Sequence, residues 1–427
     1  MRKREYCLFA LTLFLPLSVF SGDWPQFKRT ANRQGCDLTE QVALPSKLCC
    51  LFDFGSPIRA SAAMSAGKAY VISGRGLLAR LDLSKNAVDW QVSLGGINNE
   101  SSPAVENGKV YVGTTAGKFY VLDADSGRVL TTYEAGGAVF ASPLLFAGRV
   151  YFGSMNGTFH ALDLDGNVKW TYTARNYVLH SAAAEDGQIL FSDGGSRLYW
   201  LRDAGATGEV QRTYHYDPGH SGEFFSSLMI WSNGVYSGMV DQETSGGRRL
   251  ARFDFATGKF DKNIMAGIVV SSCISVDTDA GFLFFGTAYS GLYGRGQGAG
   301  TYGSKQWTTL DYNNATNGIP GVNSAPAVVG NGVIFGSEKG EVHFLEKYSG
   351  KQLWSYKAAS KKSFDAPVAV SNGKVLIGSL DGCLYGFWDG TEVTTPVKVD
   401  PQNAKGPPAA NNPASRAAQE QRTGATR

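Results

Sequence analysis

Four side chains of this chain have the chemistry to hold a cation and act on a ligand beside it. Glu100 and Asp365 offer carboxylate oxygens, Asn323 an amide oxygen and Arg59 a guanidinium. Calcium takes oxygen ligands of this kind, a carboxylate can serve as general base, and an arginine can polarise a bound carbonyl. Two carboxylates are few for a calcium cage, and the four residues fall in separated repeat units of the chain. Two weaker signals lie elsewhere. His215 and His220 flank Asp217 and Glu223 in YHYDPGHSGE (214–223), which would suit a metal, but the segment reads as a long turn. GAGTYG (298–303) has the spacing of a phosphate-binding glycine loop, yet it sits in a Gly-rich run between strands. No helix follows to receive a phosphate at its N-terminus. No Ser-His-Asp arrangement is legible.

The elements that must position these groups come from an internal repeat. Each unit ends a Gly turn and a strand on a paired apolar motif: Tyr70-Val71, Tyr111-Val112, Tyr151-Phe152, Leu190-Phe191, Val235-Tyr236, Phe284-Phe285, Ile334-Phe335 and Leu376-Ile377. The steps are about 39 to 50 residues, the length of one propeller blade. Within a unit, short alternating strands such as KVYVGTT (109–115), KFYVLD (118–123) and RVLTTY (128–133) meet at Asn-Gly, Ala-Gly or Ser-Gly corners. These are hairpin corners, because glycine enters positive φ without a steric cost. The expected fold is therefore all-β: an eight-bladed β-propeller of four-stranded antiparallel blades.

Counting strands also predicts how the ring closes. The last unit stops after GCLYGFWDG (382–390), one outer strand short, and an orphan strand, LCCLFDFGS (48–56), precedes the first unit. Pairing them completes the eighth blade and removes an open sheet edge. By the hairpin register, Cys383 should then face residues near Asp53 rather than Cys49 or Cys50.

Aligned on the start of each innermost strand, the channel mouth reads Ala60, Glu100, Phe140, His180, Phe225, Val270, Asn323 and Phe364, with Arg59 and Asp365 alongside. The next position is mostly Ser or Ala, as crowding about an axis requires.

The segments RLDLSKNAVDW (80–90), VLDADSGRVLT (121–131), ALDLDGNVKW (161–170), RFDFATGKFDK (252–262) and FLEKYSGKQLW (344–354) resemble the repeat of the pyrroloquinoline-quinone (PQQ) propeller family. SPAV (102–105), SAPAV (324–328) and APVAV (366–370) match the strand before each motif. The resemblance spans about residues 48 to 390. It implies that Trp90, Trp170, Trp307 and Trp354 dock each blade on the next; Thr131 and Lys262 depart from the pattern. GDWPQFKRTANRQG (22–35) is similar to the lead of exported proteins with this repeat. Two functional classes share the resemblance. Quinoprotein dehydrogenases bind PQQ and calcium on the axis, whereas BamB-like outer-membrane-protein assembly factors bind protein partners through loops. The dehydrogenases carry an adjacent Cys-Cys beside the cofactor. Cys49-Cys50 is such a pair, but it falls on the outermost strand, and the chain has neither a cap-sized insertion nor a CxxCH haem motif.

A net charge of +3 is too small to argue for nucleic acid or an acidic membrane surface as partner. Arg2, Lys3 and Arg4 before the apolar run 7–20, with Ser21 and Gly22 before Asp23, read as a signal peptide over 1–22. The run is short for a membrane span. Export to the periplasm or cell envelope, as a monomer, follows. The five remaining cysteines cannot all pair, and their spacing suggests no metal. A lead over 23–47 joins the signal to the propeller (48–390), and the Pro-, Ala- and Asn-rich stretch 391–427 reads as a disordered tail. Function is expected to be a non-enzymatic envelope scaffold, with outer-membrane protein assembly as a candidate setting and no cofactor; a PQQ- and calcium-dependent dehydrogenase is the alternative. Tyr214, Tyr216, Phe224, Phe225, Tyr289 and Tyr302, in the long connections of blades four to six, are the candidate partner anchors.

Overall fold

We describe the protein from a computed structural model over residues 23–404, without positions 45, 98, 216–221, 242–247, 267–268, 290, 297–305, 310–318 and 320. Tyr216, Tyr302, His220, Asp217, GAGTYG and the signal segment lie outside the described residues.

Each repeat folds as an antiparallel meander running outward from the axis. Blade 2 is typical, with strands Ala104–Glu106, Lys109–Gly113, Lys118–Asp123 and Val129–Glu134 paired in chain order. Its first corner, Asn107-Gly108, has φ of 51° and 71°. Two successive positive φ values give the turn whose twist matches the strands it joins. Eight such sheets form the eight-bladed propeller. Blade 8 takes its outer strand from the other end of the chain: Lys47–Asp53 pairs antiparallel with Cys383–Trp388. Asp53 stands opposite Cys383 as the register demanded, and all five described cysteines are free thiols. The tail boundary at 391 is corrected. Val397–Lys398 adds a fifth strand parallel to the closing strand, and Pro401–Asn403 forms a 3-10 turn. Backbone pairing to the outer edge of Lys47–Asp53, with apolar packing of Val393, Val397 and buried Val399, holds this stretch.

The core is a set of slabs between blades rather than one centre. Blades 2 and 3 meet through Phe119 stacked on Phe152 at 4.1 Å, with Tyr111, Val121, Val150 and Leu162 buried around them. Each such side chain contributes about 1.5–3 kcal/mol. The tryptophans lock the outer rim. Trp90 Nε1 donates to Ala124 O (3.0 Å), Trp170 Nε1 to Asp203 Oδ1 (3.1 Å) and Trp307 Nε1 to Lys347 O (3.0 Å), each on the following blade. Trp354 packs edge-on against Phe387 at 5.2 Å. The glycine of the repeat is explained by the same contact: a Cβ at Gly127 would come within 2.6 Å of the Trp90 ring. Thr131 departs from tryptophan yet keeps the contact, donating from Oγ1 to Asp165 O at 2.8 Å.

One buried ring makes this packing pH-sensitive. His160 stacks on Phe152 at 4.7 Å, with Tyr133 Oη 3.0 Å from Nδ1 and Ser154 Oγ 2.9 Å from Nε2. Burial pushes its pKa down to about 4. A folded pKa below the unfolded value of about 6.5 means stability is complete above that pH and falls as protons bind the unfolded chain. Between about pH 6.5 and 4 the loss amounts to about 3 kcal/mol. Urea unfolding should show the gap between wild type and His160→Gln shrinking as pH drops through this window. A gap constant with pH would contradict the assignment.

The lead is no loose linker; it threads the axis and visits all eight blades. Trp24 bridges Met64 of blade 1. Amides of the next innermost strands then donate to it in order: Val105 to Pro25 O (2.8 Å), Leu145 to Gln26 Oε1 (3.0 Å), Ala184 to Ala31 O (2.9 Å), Ile230 to Asn32 O (2.9 Å) and Val276 to Gln34 O (3.1 Å). Cys36–Asp37 runs parallel to the inner strand of blade 7, and the Glu40 carboxylate accepts the Asn372 and Gly373 amides of blade 8 at 2.8 Å each. The inner strands would otherwise end as open edges around the axis. Two buried cations fix the thread. Lys28 Nζ reaches Ser275 Oγ and Pro326 O, and Arg33 donates to Ala182 O (2.9 Å), Pro143 O (2.9 Å) and Phe27 O (2.5 Å). Burial lowers the pKa of both, that of Lys28 to about 8.

Candidate functional site

Strand direction assigns the two ends of the ring. Innermost strands run from the mouth toward the lead, so the lead closes the end where they finish. The opposite face carries their first residues, the turns between second and third strands, and the blade-to-blade connections. Hydrogen bonds tie these parts together, as in Val139 N to Thr114 O (3.0 Å) and Met155 N to Ala138 O (2.9 Å). Just inside the mouth a belt of serines links successive blades. The amides of Ser61, Ser102, Ser142 and Ser181 donate to Ser102, Ser142, Ser181 and Ser227 Oγ at 2.8–3.1 Å. The small ring residues are thus hydrogen-bonding links as well as a response to crowding.

Ring closure makes neighbours of the four residues that stand apart in sequence, since Asn323, Asp365, Arg59 and Glu100 occupy blades 7, 8, 1 and 2 in succession. Arg59 Nε lies 4.0 Å from Glu100 Oε1. Burial raises the Glu100 carboxyl above its ordinary pKa; Arg59 opposes this and the charge of Asp365 adds to it. Asn323 Nδ2 donates to Glu338 Oε1 at 3.0 Å, and Asp365 accepts from Ser363 Oγ. The guanidinium sits against Glu100, the Asn323 amide is turned to its own blade's carboxylate, and no group of three or more His, Cys, Asp or Glu residues is placed to hold a metal among the described residues. Cys49 and Cys50 are buried in the closing outer strand, away from the axis.

Across the axis the mouth changes character. Blades 3 to 6 present Phe140, His180, Phe225 and Ser271 there; Val270, which the alignment placed in this ring, is buried one residue earlier, in the row of Val139 and Val322. Blade 5 departs from the repeat: an additional strand, Gly222–Phe224, pairs with the long Gly234–Asp241 strand and extends the inner wall above the mouth. This leaves Phe225 46 % exposed at the register place that Asp365 holds in blade 8, whereas Phe364, whose amide donates to Ser337 O as that of Val139 does to Thr114 O, belongs with Phe224 in the buried row one residue earlier. The other anchor candidates divide. Phe224 is buried, Tyr214 packs edge-on against Phe253 at 5.6 Å, and Tyr289 stands exposed on the mouth-side turn of blade 6. Ile97 and Met155, which motif reading did not single out, are exposed on the same face. The remaining exposed large apolar residues, Leu44, Leu130, Val168, Val210 and Leu353, lie on the lead or the outer strands. Ile97 and Met155 carry a readable signal: large apolar residues in turns otherwise built from Gly, Asn and Thr.

The architecture defines a PQQ-like repeat propeller, closed by its own N-terminal strand and plugged at one end. The model of the family described as outer membrane protein assembly factor BamB matches residues 74–297 and 235–410, and the chain belongs to that family. Among solved structures, BamB from Moraxella catarrhalis is 18% identical, covering 81% of this chain and 99% of that one at a TM-score of 0.58. A europium-containing methanol dehydrogenase is 13% identical, covering 86% and 98% at 0.68. The computationally designed Ika8 protein is 14% identical, covering 80% and 99% at 0.62. At these identities the likeness is one of fold, which does not choose between binding and catalysis. No curated protein sequence matches the chain. No helix of the described residues is long and apolar enough to cross a membrane.

Proposed function

We propose that this protein is a non-catalytic scaffold of the cell envelope, exported by its N-terminal segment, that binds a protein partner on its open face during outer-membrane protein assembly. The observation that carries this reading is the asymmetry of the two ends. One is sealed by the lead, and the other displays Ile97, Met155, Phe225 and Tyr289 around a mouth whose Arg59 and Glu100 pair with each other. Exposed apolar side chains gathered on one face are the usual mark of a protein contact. The family's description supports the assembly role, and the mouth chemistry supports a protein that works without quinone or calcium.

Cross-linking capture from the protein's own envelope tests it. The tagged wild type should recover outer-membrane β-barrels and their assembly machinery. Ile97→Asp with Phe225→Asp should cut that recovery about tenfold, while Val210→Asp on an outer strand should leave it unchanged. Equal recovery by all three proteins would remove the open face from the proposal. Saturable micromolar binding of PQQ with calcium, and recovery of a soluble electron acceptor alone, would replace it with the dehydrogenase reading.

A further inference from the structure

Between blades 4 and 5, on the open face, lies a cavity of about 200 Å³. One wall is the additional strand of blade 5, bringing Glu223, Phe224 and Phe225; the other is the mouth side of blade 4, bringing Tyr177, His180 and Asp193. The Tyr177 ring lies so close over Gly194 that a Cβ there would come within 2.2 Å of it. His180 Nε2 donates to Phe224 O at 2.9 Å, so its Nδ1 carries a lone pair, and burial keeps the ring neutral by lowering its pKa. Asp193 is held rigidly, accepting from the Gly195 and Arg197 amides and from the Tyr199 hydroxyl (2.7 Å). Glu223 is exposed. The lining therefore offers two carboxylates, aromatic faces and a ring nitrogen acceptor, and no Lys or Arg side chain.

We propose that this cavity is a recognition pocket for the Lys or Arg side chain of the bound protein partner. Aromatic rings attract a cation through their faces, and the attraction grows as the cation loses water; a carboxylate at the rim adds charge complementarity. A neutral polar side chain would gain neither term. An anion would face Glu223 and Asp193 without compensation. The half-exposed Phe225, an aromatic ring standing where blades 2 and 8 carry Glu100 and Asp365, adds an uncovered apolar face to this lining. The inference rests on the open face being the binding face, and it names the chemistry of what enters.

The test uses the whole mature protein and small probes, so that it is read separately from envelope capture. Acetyl-Gly-Arg-Gly-amide and its lysine counterpart are titrated by NMR, following the Gly194 and Phe225 amides. The isosteric citrulline peptide serves as the neutral control, and choline as a free cation. Saturable shifts are expected with the Arg and Lys peptides, with affinity at least about fivefold weaker for citrulline. Glu223→Gln and Phe225→Ala should each weaken the Arg peptide by about fivefold without changing thermal stability, because both side chains stand in solvent. Equal affinity for citrulline, indifference to both substitutions, or no saturation would overturn the pocket. Choline binding more tightly than either peptide would overturn the peptide occupant. If the peptides bind but the Ile97/Phe225 double variant still captures its barrels, the pocket takes cationic side chains but not the partner's, and the proposed occupant fails together with the scaffold's face. The converse pair of results sinks the pocket alone.

Discussion

Replacing Arg33 with alanine lowers the unfolding free energy by about 4 kcal/mol or more. The guanidinium is buried, and its three nitrogens serve carbonyls of blade 4 (Ala182), blade 3 (Pro143) and the lead itself (Phe27). Removing it leaves those acceptors dry, at about 1–3 kcal/mol each. Its Cζ also lies 5.4 Å from the Phe27 ring centroid, and alanine abolishes that attraction between cation and ring. Lysine should recover less than half of the loss, because a single ammonium cannot reach three carbonyls held in a planar fork. Arg33 has φ of 61°, a strained conformation that alanine would inherit, so this cost is common to both proteins and the loss reports the side chain. Urea midpoints give the magnitude. Hydrogen exchange at Ala184 and Ile230, whose amides donate to Ala31 and Asn32, says where the loss is felt. Unchanged midpoints in Arg33→Ala would show that the lead merely rests in a ring that stands without it.

That lead marks the boundary of what could be read from sequence. The blades were legible because their determinants are local and repeat: a two-residue corner such as Asn107-Gly108, alternation, and a Trp set to land on a glycine one blade further on. Closure was legible from a strand count, down to Cys383 opposite Asp53. Residues 23–40 repeat nothing, and their partners are main-chain amides on eight strands spread over the whole chain. Only the folded ring assembles that set. The same reasoning covers the mouth. Alignment found Arg59, Glu100, Asn323 and Asp365, but treating them as separated overlooked that closure puts blades 7, 8, 1 and 2 side by side. Of the aromatic anchors, Phe224 and Phe225 are adjacent in sequence, yet one is core and the other half-exposed, because alternation on a short additional strand turns them to opposite sides. Val397–Lys398 was hidden for a different reason: a two-residue strand is too short for a periodic pattern, and the side chains that anchor it, Val393, Val397 and buried Val399, stand among polar and proline residues.

Trp170→Ala tests whether the outer-rim contact does what its recurrence suggests. The indole is buried between blades 3 and 4, at 5.8 Å from Tyr151 and 6.3 Å from Phe159, and it covers Gly208, where a Cβ would come within 2.5 Å of the ring. Alanine removes this surface and opens a cavity that rigid strands on both sides cannot collapse, so a loss of about 3–5 kcal/mol is expected. The hydrogen bond adds little to that figure, because Asp203 keeps Tyr151 Oη, Arg149 Nε and the Gly205 amide as partners. Blade 2 supplies the comparison. Thr131 occupies the same station with a hydroxyl bond to Asp165 O and far less surface, so Thr131→Ala should cost only about 1 kcal/mol. If the rim works by apolar burial, Trp170→Phe recovers most of the stability and Trp170→Thr very little. If it works by a hydrogen bond to the next blade, which Trp170 makes to the Asp203 carboxylate and Thr131 to the Asp165 carbonyl, threonine rescues and phenylalanine does not. Denaturant unfolding of the four variants separates the two, and the first ordering is expected because the repeat places its largest side chain at a site where a hydroxyl can also bond the next blade.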